Sequence, residues 1–222
     1  MSAEIDFPTK EVVAVACAIF DAQGFIKRDS YQNLAEGEKP KLPNSSILYN
    51  HFLNDEKVNL NEKDYVLAET IIDYLRGLSF KAFERALTDF EANVLKFVGA
   101  ERVGKDKLGI AASLPNVYSR KLEADKWTER EAALSENSDY VGTLNKRSEF
   151  NLKIEHVREI PSTLSFMYTC SESNKNIVKF FNTTRIAEIG DELNITAYVK
   201  SQGISKYSGG KETMVNRVKI AT

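Results

Sequence analysis

The C-terminal part of this chain contains the stretch Ile189-Gly190-Asp191-Glu192-Leu193-Asn194-Ile195-Thr196-Ala197-Tyr198-Val199-Lys200. After the Gly-Asp turn, apolar residues at positions 193, 195, 197 and 199 alternate with polar residues, which is the period of a β-strand with one buried face. Residues 201–210 contain three Gly with Lys206 and Tyr207, and Lys200 and Lys211 flank them, and residues 213–220 alternate again. The pattern predicts two antiparallel strands joined by a hairpin turn.

Three more alternating segments precede this pair, at residues 150–157, 164–171 and 177–182. Pro161-Ser162 and the polar segment 173–176 separate them as turns. Five short strands, with the longest connection between the third and the fourth, are typical of an OB-type barrel. The common ligand of such barrels is single-stranded nucleic acid.

The first half of the chain has a helical period instead. A helix is predicted between Pro8 and Gly24, and a second helical region extends from Glu62 to Gly99, with Ser79 as an N-cap inside it. We expect the aromatic residues of this region to be buried, among them Phe80, Phe83, Phe90 and Phe97.

The sequence therefore predicts an α+β protein with two domains. Residues 1–134 form a mainly helical domain, and residues 135–222 form an OB-fold-like nucleic-acid-binding domain with a five-stranded β-barrel. A short charged helix carrying Trp127 is predicted just before the boundary, over residues 121–134.

Composition and charge narrow the class of protein. The chain has 222 residues, of which 42% are hydrophobic and 28% charged, and its net charge is -2. Residues 148–222 carry a net charge of +2 and residues 1–147 carry -4, so the basic side lies on the predicted barrel. Two isolated cysteines and no N-terminal signal pattern predict a cytoplasmic protein, in the bacterial host if a phage encodes it.

Catalytic patterns are weak in this sequence. His51 and His156 are the two histidines, and neither has a Cys or His neighbour at metal-ligand spacing. No Gly-rich phosphate loop follows a strand, and no Gly-x-Ser-x-Gly motif occurs. We expect a protein that is not an enzyme and that needs neither a cofactor nor a metal.

Binding of a single strand requires aromatic rings for stacking and cations along the phosphate path. The last three strands and their hairpin supply the candidate residues Lys179, Phe180, Phe181, Tyr198, Lys200, Lys206, Tyr207, Lys211, Arg217 and Lys219. Adjacent strand residues face opposite sides, so one of Phe180 and Phe181 is core and the other faces outward. Arg217 and Lys219 face outward if Met214 and Val218 are core; Lys153 and Arg158 are secondary candidates.

Several short segments of the C-terminal half resemble the OB-type domain of bacteriophage replication-module DNA-binding proteins over about residues 135–220. They are Ser138–Gly142 with Arg147, Asn174-Lys175-Asn176, Lys179-Phe180-Phe181, Gly190-Asp191, Val199-Lys200, Gly209–Thr213 and Asn216-Arg217-Val218. The resemblance implies single-stranded DNA binding in phage DNA replication or recombination.

Residues 216–222 lack the acidic tail through which many such proteins recruit other replication proteins. We therefore expect recruitment through the acidic helical half, or a role other than general coating of single strands. The alternative function is a protein-interaction or structural adaptor, in a replisome or a virion, whose barrel contacts protein. RNA in place of DNA also stays open, because stacking and phosphate contacts do not identify the sugar.

Overall fold

The computed structural model describes residues 6–29, 32, 39–82, 85–172 and 175–221, and the chain divides into two compact units at residues 123 and 124. This division falls inside a long helix, whereas the sequence pattern placed the boundary after residue 134. The reason is that the second half of this helix makes its side-chain contacts with the barrel, as shown below. No helix in the described part of the chain is both long and apolar enough to cross a membrane.

The first unit is helical. Its helices are α1 (Thr9–Gln23), α2 (Asn44–Leu53), α3 (Glu62–Arg76), α4 (Leu78–Lys81), α5 (Asp89–Gly99), α6 (Leu108–Ala111) and the first part of α7 (Leu114–Ser135). Two short antiparallel strands, β1 (Asp6–Pro8) and β2 (Arg102–Gly104), lie beside them, and Lys105–Lys107 form a 3-10 turn. Every residue from Val12 to Cys17 is buried, so α1 is the central helix of the unit.

The expectation of a helix between Pro8 and Gly24 is confirmed, but the expectation for residues 62–99 is partly wrong. The helix that ends at Gly99, α5, starts at Asp89 and not near Ser79, and the Thr88 hydroxyl before it accepts a hydrogen bond from the Glu91 N–H at 3.2 Å. Because the helix is broken, Phe80 and Phe97 do not share one face: Phe97 is buried, whereas Phe80 is 74% exposed. Phe90 is also exposed, and Phe83 lies outside the described residues.

The second unit contains a closed five-stranded β-barrel. Its strands are β3 (Arg147–Ile160), β4 (Ser165–Glu172), β5 (Ile177–Asn182), β6 (Glu192–Ile204) and β7 (Lys211–Ile220). The order around the barrel is β3-β4-β5-β7-β6, and neighbours are antiparallel except β5 and β7, which are parallel. This arrangement confirms the predicted α+β fold class, with a helical N-terminal half and a C-terminal OB-like barrel.

The barrel core follows the alternation of the strands. Tyr168 and Phe180 are fully buried and stack at 4.8 Å between ring centroids, and the Tyr168 hydroxyl accepts a hydrogen bond from the Ile186 N–H. Val215 occupies the core instead of the predicted Met214, because β7 has one extra residue where the register between β6 and β7 shifts between Thr196 and Tyr198. A one-residue shift turns each following side chain to the other face of the sheet.

The parallel pairing of β5 and β7 closes the barrel and extends over three register pairs, Ile177↔Glu212 to Lys179↔Met214. We call this pairing the β5–β7 seam. The Ser138 hydroxyl bridges it, since it donates to the Lys211 carbonyl at 2.7 Å and accepts from the Ile177 N–H at 2.9 Å. The segment that leads from α7 into β3 is thereby part of the barrel closure.

The two adjacent phenylalanines of β5 provide a stability test. Phe180→Ala should lower the free energy of unfolding by about 3–5 kcal/mol, because it empties a fully enclosed volume beside Tyr168. Phe181→Ala should change it by no more than about 0.5 kcal/mol, because Phe181 is 49% exposed. Urea unfolding of both variants measures the difference, and equal losses would contradict the assigned orientation of β5.

Candidate nucleic-acid interface

Lys179 does not reach the barrel surface. It is 5% exposed, and its Nζ lies 2.5 Å from Glu131 Oε1 on α7 and 2.7 Å from Glu212 Oε2 on β7. Burial lowers the pKa of Lys179, but the hydrogen bonds and charges of the two carboxylates outweigh burial and hold the pKa above its ordinary value. The expectation that Lys179 contacts phosphate is corrected: its ammonium is already neutralised and enclosed.

The second half of α7, residues 124–135, covers the outer face of β3, β4 and β5 around Lys179. The Trp127 ring stacks on His156 of β3 at 4.2 Å, with an angle of 13° between the ring planes. Arg130 lies 2.5 Å from the buried Glu155 carboxylate, which also accepts a hydrogen bond from the Ser171 hydroxyl. We call the surface formed by Glu155, His156, Thr169, Ser171 and Lys179 the covered face.

Phe181, the remaining aromatic candidate of β5, lies at the edge of the covered face. Phe180 points into the core, so it is not a binding residue, whereas Phe181 points outward. Phe181 pairs with Met167 of β4, and Met167 pairs with Arg158 of β3. Phe181 and the exposed Arg158 therefore lie on one stretch of outer surface.

A second surface lies on the opposite strands, around Tyr198. Arg147 of β3 is the direct cross-strand partner of Tyr198 on β6, so the two side chains share the outer face. The Arg217 guanidinium lies 5.8 Å from the centre of the Tyr198 ring. Arg217 has a left-handed backbone (φ 51°) because β7 bulges opposite Ala197, and this bulge directs its side chain toward the ring.

Several Lys and Arg side chains lie around Tyr198, and we call them, together with the Tyr198 ring, the Tyr198 patch. Lys200 lies at the second irregularity of the β6–β7 pair, and Lys219 is paired with Thr196, two residues from Tyr198. Among the described residues, no carboxylate forms an ion pair with any cation of the patch, whose exposed members are Lys146, Arg147, Lys200, Arg217 and Lys219. The patch thus combines a partly exposed ring with five positive charges that form no ion pair within the described part of the chain.

The sequence did not indicate Lys146 and Arg147 as binding residues. They directly precede the first alternating segment, so their basic character was visible, but their neighbours in space were not. Only the closure of the barrel, which pairs β3 with β6, brings them beside Tyr198.

The hairpin between β6 and β7 carries the other three candidates. Tyr207 is 77% exposed at its tip, next to the exposed Lys206, and the Ser205 hydroxyl accepts hydrogen bonds from the Tyr207 and Ser208 N–H groups. Lys211 pairs with Asp139 at 2.9 Å and lies over the Tyr140 ring. The hydrogen bond and charge of Asp139 raise the pKa of Lys211. Lys206 and Tyr207 are accessible to a ligand, whereas Lys211 already has a carboxylate partner.

A scan against protein-family models, a search of curated proteins and a search of solved structures gave no match to this chain. The resemblance to phage replication-module proteins therefore stays a prediction, and the argument for function depends on the geometry of the barrel. In the described residues, no group of three or more His, Cys, Asp or Glu side chains could hold a metal ion.

The buried charges of Lys179 and its partners give a second test. Lys179→Ala should lower the free energy of unfolding by about 3–5 kcal/mol, because it leaves the Glu131 and Glu212 carboxylates without the ammonium between them. Unfolding followed by fluorescence of Trp127, the one tryptophan of the chain, measures this loss in the barrel unit. The neutral triple variant E131Q/K179M/E212Q should recover most of it, and Lys200→Ala is the exposed control. A loss below about 1 kcal/mol for Lys179→Ala would contradict the enclosed ion pairs.

The stacked Trp127–His156 pair gives a pH test. Burial lowers the pKa of His156 below its ordinary value of 6.5, the nearby Arg158 and Arg130 lower it further, and Glu131 partly opposes them. Neutral His156 therefore adds to the free energy of unfolding. Its contribution is fully present above about pH 6.5, and it is lost as the pH falls through the lowered pKa of His156.

Trp127 emission should change with a midpoint below pH 6.5, because the protonated imidazole then faces the indole ring. The variant His156→Gln, which keeps a polar side chain but does not titrate there, should lose this step. A midpoint at or above 6.5 in the wild-type protein would contradict the assigned burial of His156.

Proposed function

We propose that this protein binds single-stranded DNA, without catalysis, through the Tyr198 patch on the outer face of β3, β6 and β7. The observation that carries the proposal is the set of five exposed cations around one aromatic ring, none of which forms an ion pair with a carboxylate of the described residues. Each part matches a requirement of the ligand: the ring provides a face for a base, and the cations neutralise successive phosphates.

The absence of carboxylate partners distinguishes this patch from an ordinary charged surface. On a typical protein surface, charges of both signs are interspersed, and many lysines lie near a carboxylate. Lys179 and Lys211 follow that pattern, since each pairs with Asp or Glu. In the described part of the chain, the cations of the Tyr198 patch form no ion pair, so an anionic partner would relieve their mutual repulsion.

The hairpin extends the proposed path. Tyr198 and Ile204 are separated by roughly 20 Å along β6, at about 3.4 Å per residue, and Lys206 and Tyr207 follow at the tip. A single strand that lies on Tyr198 and continues along β6 would meet the second exposed ring there. The resemblance of residues 135–220 to phage replication-module proteins supports a setting in phage DNA replication or recombination, which is part of the proposal.

A second candidate function has an observation of its own. Leu164, in the turn between β3 and β4, is 81% exposed, and Phe181 is exposed at the end of β5. The β4–β5 register pairs Phe166 with Asn182, so this turn and the end of β5 lie at the same end of the barrel. Two exposed apolar side chains in one region favour a contact with protein, as expected for an adaptor.

The aromatic residues test the main proposal. Tyr198→Ala and Tyr207→Ala should each weaken binding of labelled poly-dT by about 1–3 kcal/mol, because each removes a ring on which a base stacks. Fluorescence anisotropy titration measures the affinity, and thermal melts confirm that the variants fold. If both variants bind like the wild-type protein, the barrel is not a stacking platform, and the adaptor function is favoured.

The salt dependence tests the cations. For a single strand, the slope of log K against log salt concentration is about -0.7 per neutralised phosphate, so Arg147→Ala or Lys219→Ala should reduce its magnitude by about 0.7. Lys96→Ala removes an exposed lysine of α5 in the helical unit and serves as the matched control. Affinity that is independent of salt, or equal for duplex DNA, would contradict the proposal. Competition by poly-U measures the preference for DNA over RNA.

A further inference from the structure

The second half of α7 is held on the barrel by charged and stacking contacts. These are Glu131–Lys179 at 2.5 Å, Arg130–Glu155 at 2.5 Å and the Trp127–His156 stack. In the described structure, no side chain from residues 124–135 belongs to either apolar core. Because the segment adds no side chain to either core, lifting it from the barrel exposes the Trp127 ring together with charged and polar groups, and water or a polar ligand can solvate the charged and polar groups.

The covered face is imperfectly matched to the helix. His156 Nδ1 and Thr169 Oγ1 are buried, and neither has a hydrogen-bond partner among the residues that the structure describes. A buried polar group without a partner costs about 1–3 kcal/mol, so native proteins rarely leave such groups unpaired without a reason. Both groups lie on the outer surface of the barrel and beside Lys179, where a ligand richer in hydrogen-bonding groups than α7 could satisfy them.

Two of the three contacts that α7 makes resemble contacts of a nucleic-acid strand. The third, Arg130 with Glu155, does not, because a strand has no cation to offer. The Glu131 carboxylate occupies the place of a phosphate on the Lys179 ammonium, and the flat Trp127 ring occupies the place of a base on His156. An aromatic face and an anion are the two features that single-stranded nucleic acid presents to a binding surface.

We infer that residues 124–135 of α7 are an internal competitor that occupies the covered face, and that single-stranded DNA displaces them from it. The inference rests on the proposed function and adds a second, regulated part to the interface. While α7 is in place, the DNA contacts exposed residues alone, in the Tyr198 patch and at the border of the covered face. When α7 lifts, His156 and Thr169 become available, and Lys179 exchanges Glu131 for a phosphate while Glu212 of β7 stays beside it. The contact area and the number of neutralised phosphates then increase.

Phe181 and Arg158 give the strand a first contact at the border of the covered face. Both are exposed while α7 is in place. Phe181 follows Lys179 by two residues on β5, so it lies on the same face at a distance of about 7 Å along the strand. A strand that stacks on Phe181 is therefore positioned to compete with Glu131 for Lys179.

The test uses the full chain and two matched charge removals on α7. Glu131→Gln weakens the contact with Lys179, whereas Glu129→Gln removes the same charge from an exposed position that forms no ion pair with any described residue. Glu131→Gln should tighten binding of labelled poly-dT about tenfold, which corresponds to 1.4 kcal/mol. It should also increase the magnitude of the salt slope by about 0.7 for each phosphate gained. Glu129→Gln should leave both unchanged.

Two further measurements keep the inference open to refutation if Glu131→Gln folds poorly. Arg130→Gln weakens the second ion pair and should also tighten binding. In the wild-type protein, Trp127 emission should shift to longer wavelength as poly-dT saturates the protein, because the ring leaves His156 for water. The double variant E131Q/K179Q should lose the gain in affinity, because the phosphate contact is removed along with the competitor.

The outcomes separate this inference from the proposed function. If the wild-type protein binds poly-dT through Tyr198 while Glu131→Gln binds no more tightly than Glu129→Gln, the competitor is refuted and the function stands. If neither the wild-type protein nor Glu131→Gln binds, both are refuted. Tighter binding by both Glu131→Gln and Arg130→Gln, together with the shift in Trp127 emission, supports the inference.

Discussion

The barrel depends on the short parallel seam between β5 and β7, and Lys179 crosses that seam. Three register pairs are a small ladder for closing a barrel, and two side-chain contacts reinforce it. Lys179 joins β5 to Glu212 on β7, and the Ser138 hydroxyl bonds to the backbone of both strands. Because Lys179 also binds Glu131, the same ammonium that closes the barrel holds α7 on it.

This double role determines which surface of the barrel is free. A lysine on an outward face of an OB-type barrel is expected to meet phosphate, but here two carboxylates reach it first. The covered face is consequently inaccessible to solvent. A cluster of accessible cations lies instead around Tyr198, on β3, β6 and β7. The same electrostatic rule thus bears on the closure of the barrel and on the location of the proposed interface. Lys179, which has carboxylate partners, stabilises the fold, whereas the cations of the Tyr198 patch are proposed to bind the ligand.

Irregularities of the β6–β7 pair shape the Tyr198 patch. Strict alternation would place every second residue of β7 outward, yet the bulge at Arg217 changes the direction of that side chain and brings it to the ring. Lys200 lies at the other irregularity of the same pair. Two of the five cations of the patch, Lys200 and Arg217, therefore lie where the β6–β7 ladder is irregular.

The sequence by itself determined the fold class, the five strands and the inward or outward parity of most strand residues, because a period of two residues is a local property. It also identified Tyr198, Tyr207 and the basic character of the last two strands. Only the tertiary structure decided that Phe180 is core and Phe181 exposed, that Arg147 joins Tyr198, and that Lys179 is enclosed. The physical reason is that burial of a charge depends on partners distant in the chain, and these are brought together only when the barrel closes and α7 packs on it.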